Sequence, residues 1–180
     1  MRYLIANKRV ESVFKRQSAK TANLEVHVDS DWAGDLESRR STSGMTIRRG
    51  AHFLRHMSTM QTVVGLSSAE AEFYALTRGA CTAMGTQSFL ADWSLQTEIV
   101  LYSDSSAARA ATQRKGLGGK LRHLQTRHLW LQSHVAMGTV KLRCVLGVKN
   151  PADVLTKALP QATLRSWSEH LGQRWIAELG

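Results

Sequence analysis

Apolar and polar residues alternate through three segments in the first third of the chain. In the first, LEVHVDSDW, apolar side chains occupy every second position from Leu24 to Val28, which is the period of a half-buried β-strand. The runs SGMTIRRG and AHFLRHMS follow, with Gly50 between them. We therefore expect a β-hairpin that packs against the first strand and completes a set of three antiparallel strands.

A helical pattern replaces the alternation after Ser67. Ser67 and Glu70 form a capping box ahead of apolar residues spaced three and four positions apart. This pattern predicts a helix that ends near Trp93. The strand EIVLYS and a short helix from Ser105 to about Gln113 should follow.

The last third of the chain predicts two more helices around one strand. Residues 121–137 read as a long helix, and TVKLRCVLG is an alternating strand. Asn150 followed by Pro151 is typical of a helix start, which would put Asp153 at the third helical position. Residues 161–180 form a predicted helical tail with an apolar stripe.

The charge of the chain indicates a polyanionic partner. The 24 Lys and Arg outnumber 14 Asp and Glu, giving a net charge of +10 and a pI near 10.2. No acidic residue lies between Asp104 and Asp153, and a run of mixed charges would be more usual on a solvated face. We favour a phosphate-binding surface there, built from Arg109, Arg114, Lys115, Lys120, Arg122, Arg127, Lys141, Arg143 and Lys149.

Several classes of protein are disfavoured. No apolar run approaches the roughly 20 residues that span a bilayer, and the N-terminus lacks the apolar region of a secretory signal. We expect an intracellular protein that is monomeric, not secreted and without a membrane partner. Cys81 and Cys144 lie far apart in apolar surroundings and are expected to be buried thiols.

Four acidic residues end a predicted strand or open a predicted helix. Each has an ordinary structural explanation: Asp29 can be a polar-face residue, Asp104 can cap the next helix, and Asp153 can favour a helix dipole. Glu72 has no local partner, because the capping box already uses Glu70. Asp31 is the alternative to Asp29.

The order of these acids and five sequence blocks carry a resemblance to a known family. The chain resembles the ribonuclease H domain of a copia-type retrotransposon Pol polyprotein. The resemblance runs from about Leu24 to Pro160 in the blocks VDSDWAGDLESRRSTSG, LSSAEAEFYAL, YSDSSAA, LRHLQTRHLWLQ and NPADVLTKALP.

The resemblance implies an α/β, ribonuclease H-like fold, a mixed five-stranded sheet with three antiparallel strands, then two parallel ones, flanked by helices. It divides the chain into a basic leader at 1–22 that resembles the end of a reverse transcriptase, the ribonuclease H domain at 23–160 and the tail at 161–180. A reverse transcriptase, covalently linked or separate, is an implied partner.

The implied activity is hydrolysis of the RNA strand of RNA/DNA hybrids during reverse transcription. Asp29, Glu72, Asp104 and Asp153 become the catalytic carboxylates that bind two Mg²⁺ ions, with Mn²⁺ as a substitute. The alternative is a catalytically weak or domesticated copy that binds nucleic acid. Many cellular members have a His in the loop before the last Asp; VLGVKN has none, which implies slow turnover.

Hybrid binding is implied for two groups of residues. Shape and 2′-hydroxyl contacts, more than base sequence, distinguish such a substrate. Trp32 can stack on a sugar or base, although a core position is more usual next to a strand end. The implied backbone contacts are Arg39, Arg40, Ser41, Ser43, Lys120, Arg122, His123 and Arg127.

Overall fold

A mixed five-stranded sheet forms the centre of the molecule. The computed structural model describes residues 10–17, 23–114 and 129–175, and in these ranges the sheet order is β4-β3-β2-β5-β6, with β1 and β7 paired separately. The strands are β1 (Val10–Ser12), β2 (Leu24–Ser30), β3 (Thr42–Arg49), β4 (His52–Met60), β5 (Ile99–Ser103), β6 (Val140–Cys144) and β7 (Gln173–Trp175). The helices are α1 (Ser68–Asp92), α2 (Ser106–Gln113), α3 (Leu129–Ala136) and α4 (Gln161–His170).

Strand directions confirm the predicted sheet. The strands β2, β3 and β4 are antiparallel neighbours, whereas β5 runs parallel to both β2 and β6. Gly50 turns the chain between β3 and β4 with a φ of +57°, a conformation that glycine adopts without steric cost. Because β2 and β5 are adjacent and parallel, their carboxyl ends lie at the same edge of the sheet.

The core lies between the sheet and α1. Phe73, Leu76 and Ala80 of the helix and the strand residues Val26 and Val28 are all fully buried. Apolar side chains recur about every 3.6 residues in the helix and every two residues in the strand, and the two apolar faces pack together at this interface. Helix α2 packs against α1, and α3 packs against α2 and β6.

Helix α1 begins and ends as predicted. The Ser67 hydroxyl accepts a hydrogen bond from the Glu70 backbone N–H at 3.2 Å, and Trp93 is the C-cap. The Glu70 carboxylate accepts bonds from the Leu66 backbone N–H at 3.0 Å and the Tyr74 hydroxyl at 2.6 Å. Hydrogen bonds to nearby residues therefore hold the Glu70 carboxylate at the start of the helix, as expected from the capping box. The Glu72 carboxylate takes no part in this cap.

The predicted helix at Asn150 is wrong. Residues Asp153–Leu155 form a single 3-10 turn instead. The Asn150 side chain donates to the Val28 carbonyl at 2.8 Å and accepts from the Ala152 N–H at 3.2 Å, which fastens the chain to β2. A Cβ on Gly44 would lie 2.6 Å from the Ala152 carbonyl oxygen, so the turn also presses on β3. In place of a regular helix, this segment is a short turn held against β2 and β3.

Two further expectations change at the periphery. The tail helix stops at His170, and the chain then forms β7, which pairs antiparallel with β1 from the leader. Cys81 and Cys144 are exposed, so the expectation of buried thiols is wrong. Of the predicted helix 121–137, residues 121–128 lie outside the described residues.

No helix in the described ranges is long and apolar enough to cross a membrane.

Candidate metal centre

Three of the four predicted acids meet at one edge of the sheet. Asp29 lies at the carboxyl end of β2, Asp104 directly follows β5, and Glu72 lies in the second turn of α1. One carboxylate oxygen from each lies within 4.8 Å of the other two. The parallel pairing of β2 and β5 therefore produces a compact acidic cluster from residues far apart in sequence.

Asp29 is held by contacts on the face of the sheet opposite α1. Its neighbour Val28 faces α1, and side chains alternate along a strand, so Asp29 points to the opposite face. Gly44, its backbone partner in β3, faces the 3-10 turn on that side. The Thr156 hydroxyl donates a hydrogen bond to its Oδ2. Burial raises the pKa of Asp29, and this hydrogen bond and the positive charge of Lys157 act against the rise.

Glu72 reaches the cluster past the end of β2. Its Oε1 accepts a hydrogen bond from the Ser30 backbone N–H at 2.9 Å. Its Oε2 is buried and has no hydrogen-bond partner among the described residues. Burial, followed by the negative charges of Asp29 and Asp104, raises the pKa of Glu72 from 4.5 to about 8.

Asp104 does not cap the following helix. That role belongs to Ser105, whose hydroxyl accepts from the Ala108 N–H at 3.2 Å. A Cβ on Gly147 would lie 3.0 Å from the Oδ2 of Asp104, so the chain after β6 passes close to this carboxylate. The ordinary explanation for Asp104 therefore fails, and its carboxylate faces the cluster.

Asp153 lies beside the three acids. Its negative charge acts on Asp29, and its carboxylate forms an ion pair with the ammonium of Lys157, four residues along the chain. Asp31, the alternative for the first position, is engaged elsewhere, since its Oδ1 accepts from the Thr42 N–H. The geometry thus favours Asp29 over Asp31.

The donor set fits a hard divalent cation. Carboxylate oxygens are the ligands that Mg²⁺ and Mn²⁺ prefer, and no thiol or imidazole belongs to this group of described residues. The unpartnered buried oxygen of Glu72 favours a cation nearby, since an ionised carboxylate that is buried alone is costly. A cation held here would also offset the repulsion that raises the pKa of Glu72.

The predicted nucleic-acid contacts divide into three groups. Arg39 and Arg40 are exposed in the loop between β2 and β3, at the same edge as the acids. Ser41 and Ser43 are 0% and 3% exposed, so both side chains are buried in this structure. Their hydroxyls accept hydrogen bonds from the Ala33 N–H and the Gln61 side chain. Four others lie outside the described residues: Lys120, Arg122, His123 and Arg127.

Trp32 is not a core residue. Its side chain is 55% exposed, and the indole N–H donates to the Gly65 carbonyl at 3.0 Å. This bond ties the loop after β2 to the loop before α1. The indole face is therefore presented at the surface, and the expectation of a core position is wrong.

Sequence reasoning missed the residues that support the acids. Thr156 and Lys157 follow Asp153 at the spacing of one turn, and both contact acids of the cluster. Gln61 donates to the Ser43 hydroxyl and to the carbonyl of Ala71, the residue before Glu72, both at 2.9 Å. The spacing of three and four from Asp153 was the available signal for Thr156 and Lys157.

Comparison with known sequences confirms the resemblance. No protein-family model matches the chain. The chain is 29% identical over 150 residues, 83% of its length, to the retrovirus-related Pol polyprotein from transposon TNT 1-94 of Nicotiana tabacum. It is 26% identical over 158 residues, 87% of its length, to the corresponding polyprotein from transposon RE2 of Arabidopsis thaliana. It spans 11% of the length of each relative.

Comparison with solved structures confirms the fold. The chain superposes on the LC11 ribonuclease H1, solved in complex with an RNA/DNA hybrid, with a TM-score of 0.53 and 14% identity. The match covers 79% of this chain and 99% of that protein. The central sheet with its flanking helices is therefore a ribonuclease H fold.

Proposed function

We propose that this chain is a ribonuclease H that hydrolyses the RNA strand of RNA/DNA hybrids, working as one part of a retrotransposon Pol polyprotein. The observation that carries the proposal is the convergence of Asp29, Glu72 and Asp104 within 4.8 Å on a ribonuclease H fold. The Pol relatives support the wider setting of reverse transcription, with a reverse transcriptase as the partner.

The four acids hold the metal in this proposal. Asp29, Glu72 and Asp104 form the centre, and Asp153 completes it from the 3-10 turn. Two Mg²⁺ ions, or Mn²⁺ in their place, would activate the attacking water and stabilise the leaving 3′ oxygen. The protein contributes fixed positions: the Ser30 N–H orients Glu72 and the Thr156 hydroxyl orients Asp29.

The substrate is bound through its backbone in this proposal. Arg39 and Arg40 lie at the edge of the sheet that carries the acids, where they can contact phosphates. The exposed Trp32 indole offers a flat surface for a sugar or base. Lys120, Arg122, His123 and Arg127 extend the proposed contact surface. Recognition through backbone shape and 2′-hydroxyls predicts little preference for base sequence.

A strand-labelled RNA/DNA hybrid tests the proposal. The wild-type protein with Mg²⁺ should cut the RNA strand and leave the DNA strand, a DNA duplex and single-stranded RNA intact. Asp104→Asn should lose at least about 100-fold in rate, because it removes one charged ligand. Asp92→Asn, an exposed carboxylate at the end of α1, is the matched control and should cut at the wild-type rate.

Two results would contradict the proposal. Hybrid binding without cleavage by the wild-type protein would favour the domesticated binding copy. Equal cleavage by wild type and Asp104→Asn would mean that the acidic cluster is not the catalytic centre.

A further inference from the structure

An ammonium group lies next to Asp153 and acts electrostatically on the other three acids. The Nζ of Lys157 forms an ion pair with the Oδ1 of Asp153. Its positive charge also acts on Asp29 and Asp104, and the pKa of Lys157 is raised, first by its hydrogen bond to Asp153. The proposed function assigns this acidic cluster to metal binding. The positive charge of Lys157 therefore offsets part of the repulsion between its carboxylates.

The backbone that carries Lys157 is fixed, whereas its charged end can move. The Thr156 hydroxyl bonds to Asp29, and the Ser58 hydroxyl of β4 donates to the Leu155 carbonyl at 2.6 Å. These bonds attach the turn to two strands. The Lys157 side chain is nevertheless 53% exposed, so its long stem can carry the ammonium into solvent without disturbing the turn.

We propose that Lys157 is a built-in counter-cation that competes with the divalent metal for Asp153 and so lowers the affinity of the centre for metal. This inference rests on the proposed function. When no metal is bound, the ammonium holds the fourth carboxylate next to the other three. When a divalent ion binds, the ammonium must leave Asp153 or remain as a like charge beside the ion, and both alternatives oppose binding.

Direct measurement of Mn²⁺ binding, by calorimetry and by the electron paramagnetic resonance signal of the unbound ion, tests the inference without substrate. Lys157→Met keeps the stem and removes the charge, so its Kd for Mn²⁺ should fall by about five- to ten-fold. Lys157→Arg retains the charge and should bind Mn²⁺ within about two-fold of wild type.

A matched control is available elsewhere on the surface. Lys141 also forms an ion pair, with Glu98, and its side chain is 47% exposed. Lys141→Met removes the same charge from the chain but not from the cluster, and should leave the Kd unchanged. A second readout is thermal unfolding in EDTA, where Lys157→Met should unfold at a lower temperature than wild type and gain more from added Mn²⁺.

The outcomes separate the two proposals. No Mn²⁺ binding by the wild-type protein would overturn the metal centre, and with it the proposed function. If the wild-type protein binds Mn²⁺ and the Kd of Lys157→Met is unchanged or higher, the counter-cation role of Lys157 alone would be overturned. A five-fold change shared by Lys141→Met would mean that net charge, and not the position of Lys157, sets the affinity.

Discussion

Glu72 is the residue whose environment conflicts most with its ordinary chemistry. The residue is 7% exposed, one of its carboxylate oxygens has no partner among the described residues, and its pKa is raised to about 8. A carboxylate in such a place is stabilised by a cation or else takes up a proton. The stability of the protein without metal should therefore depend on pH in a defined direction.

Without metal, the stability of the protein should fall as the pH rises from 6.5 to 8. Folded Glu72 keeps its proton up to about pH 8, whereas the unfolded chain releases it near 4.5. The folded state therefore holds more protons in this window, and raising the pH favours unfolding by about 1 kcal/mol per pH unit. Urea denaturation in EDTA at both pH values measures the difference.

The window and the control isolate Glu72. His27 has a pKa lowered to about 4, mainly by burial, so below 6.5 its contribution has the opposite sign and would obscure the trend. Glu72→Gln cannot ionise and should show a smaller decline between pH 6.5 and 8. A wild-type stability in EDTA that is constant or rises across this window would contradict the raised pKa.

At the scale of elements, α1 is the scaffold of the centre, because it carries Glu72 and packs across the sheet. Gly79 lies at its closest approach: a Cβ there would lie 2.5 Å from Val28 Cγ1 and 3.3 Å from Leu101 Cδ1. Gly85, two turns further along, has no heavy atom within 4 Å of the same position. The two glycines therefore offer a matched pair.

Alanine at these two positions should change stability in opposite directions. Gly79→Ala should lower the free energy of unfolding by about 1–3 kcal/mol, because the methyl group overpacks the contact with β2 and β5. Gly85→Ala should raise it by about 0.5–1 kcal/mol, since alanine loses less backbone entropy in a helix. Denaturant midpoints measure both. Equal effects of the same sign would contradict the close packing of α1 on the sheet.

Local patterns predicted the elements well where side-chain periodicity alone determines them. The alternation from Leu24 and the cap at Ser67 gave strand β2 and helix α1 nearly to the residue. The 3-10 turn at Asp153 and the pairing of β1 with β7 depend on partners more than 100 residues away, such as Val28 for Asn150. No local signal carries that information, so these features could not be predicted.

The site divides in the same way. Strand ends and a helix start account for the acids singly, and it was the resemblance that predicted Asp29, Glu72 and Asp104 as one group. Ser41 and Ser43 are as polar as the exposed arginines before them, yet both are buried, and their hydroxyls accept hydrogen bonds from Ala33 and Gln61 that a sequence pattern does not reveal. Supporting contacts are a property of the folded chain more than of its motifs.

At the scale of the whole molecule, charge is distributed unevenly. The net charge is +10, yet the proposed centre concentrates three carboxylates, with Asp153 beside them, at one edge of the sheet. The exposed Arg39 and Arg40 lie at that edge, in the loop after β2. Long-range attraction of a polyanion is therefore expected from the molecule, and close contact from this loop.

Hybrid affinity should fall steeply with salt, and the loop should account for a measurable share of that fall. The Asp104→Asn variant is used here so that the hybrid is bound but not cut. Raising NaCl from 50 to 200 mM should weaken its binding to the hybrid about ten-fold or more through counterion release. Adding Arg39→Ala and Arg40→Ala should reduce the slope of log K against log salt by about one to two, because two phosphate contacts are lost. Arg174→Ala, which removes an arginine paired with Glu11 in the β1–β7 sheet, is the matched control and should leave the slope unchanged. Fluorescence anisotropy of a labelled hybrid measures each slope, and equal slopes for the loop and control variants would show that the loop does not contact the substrate.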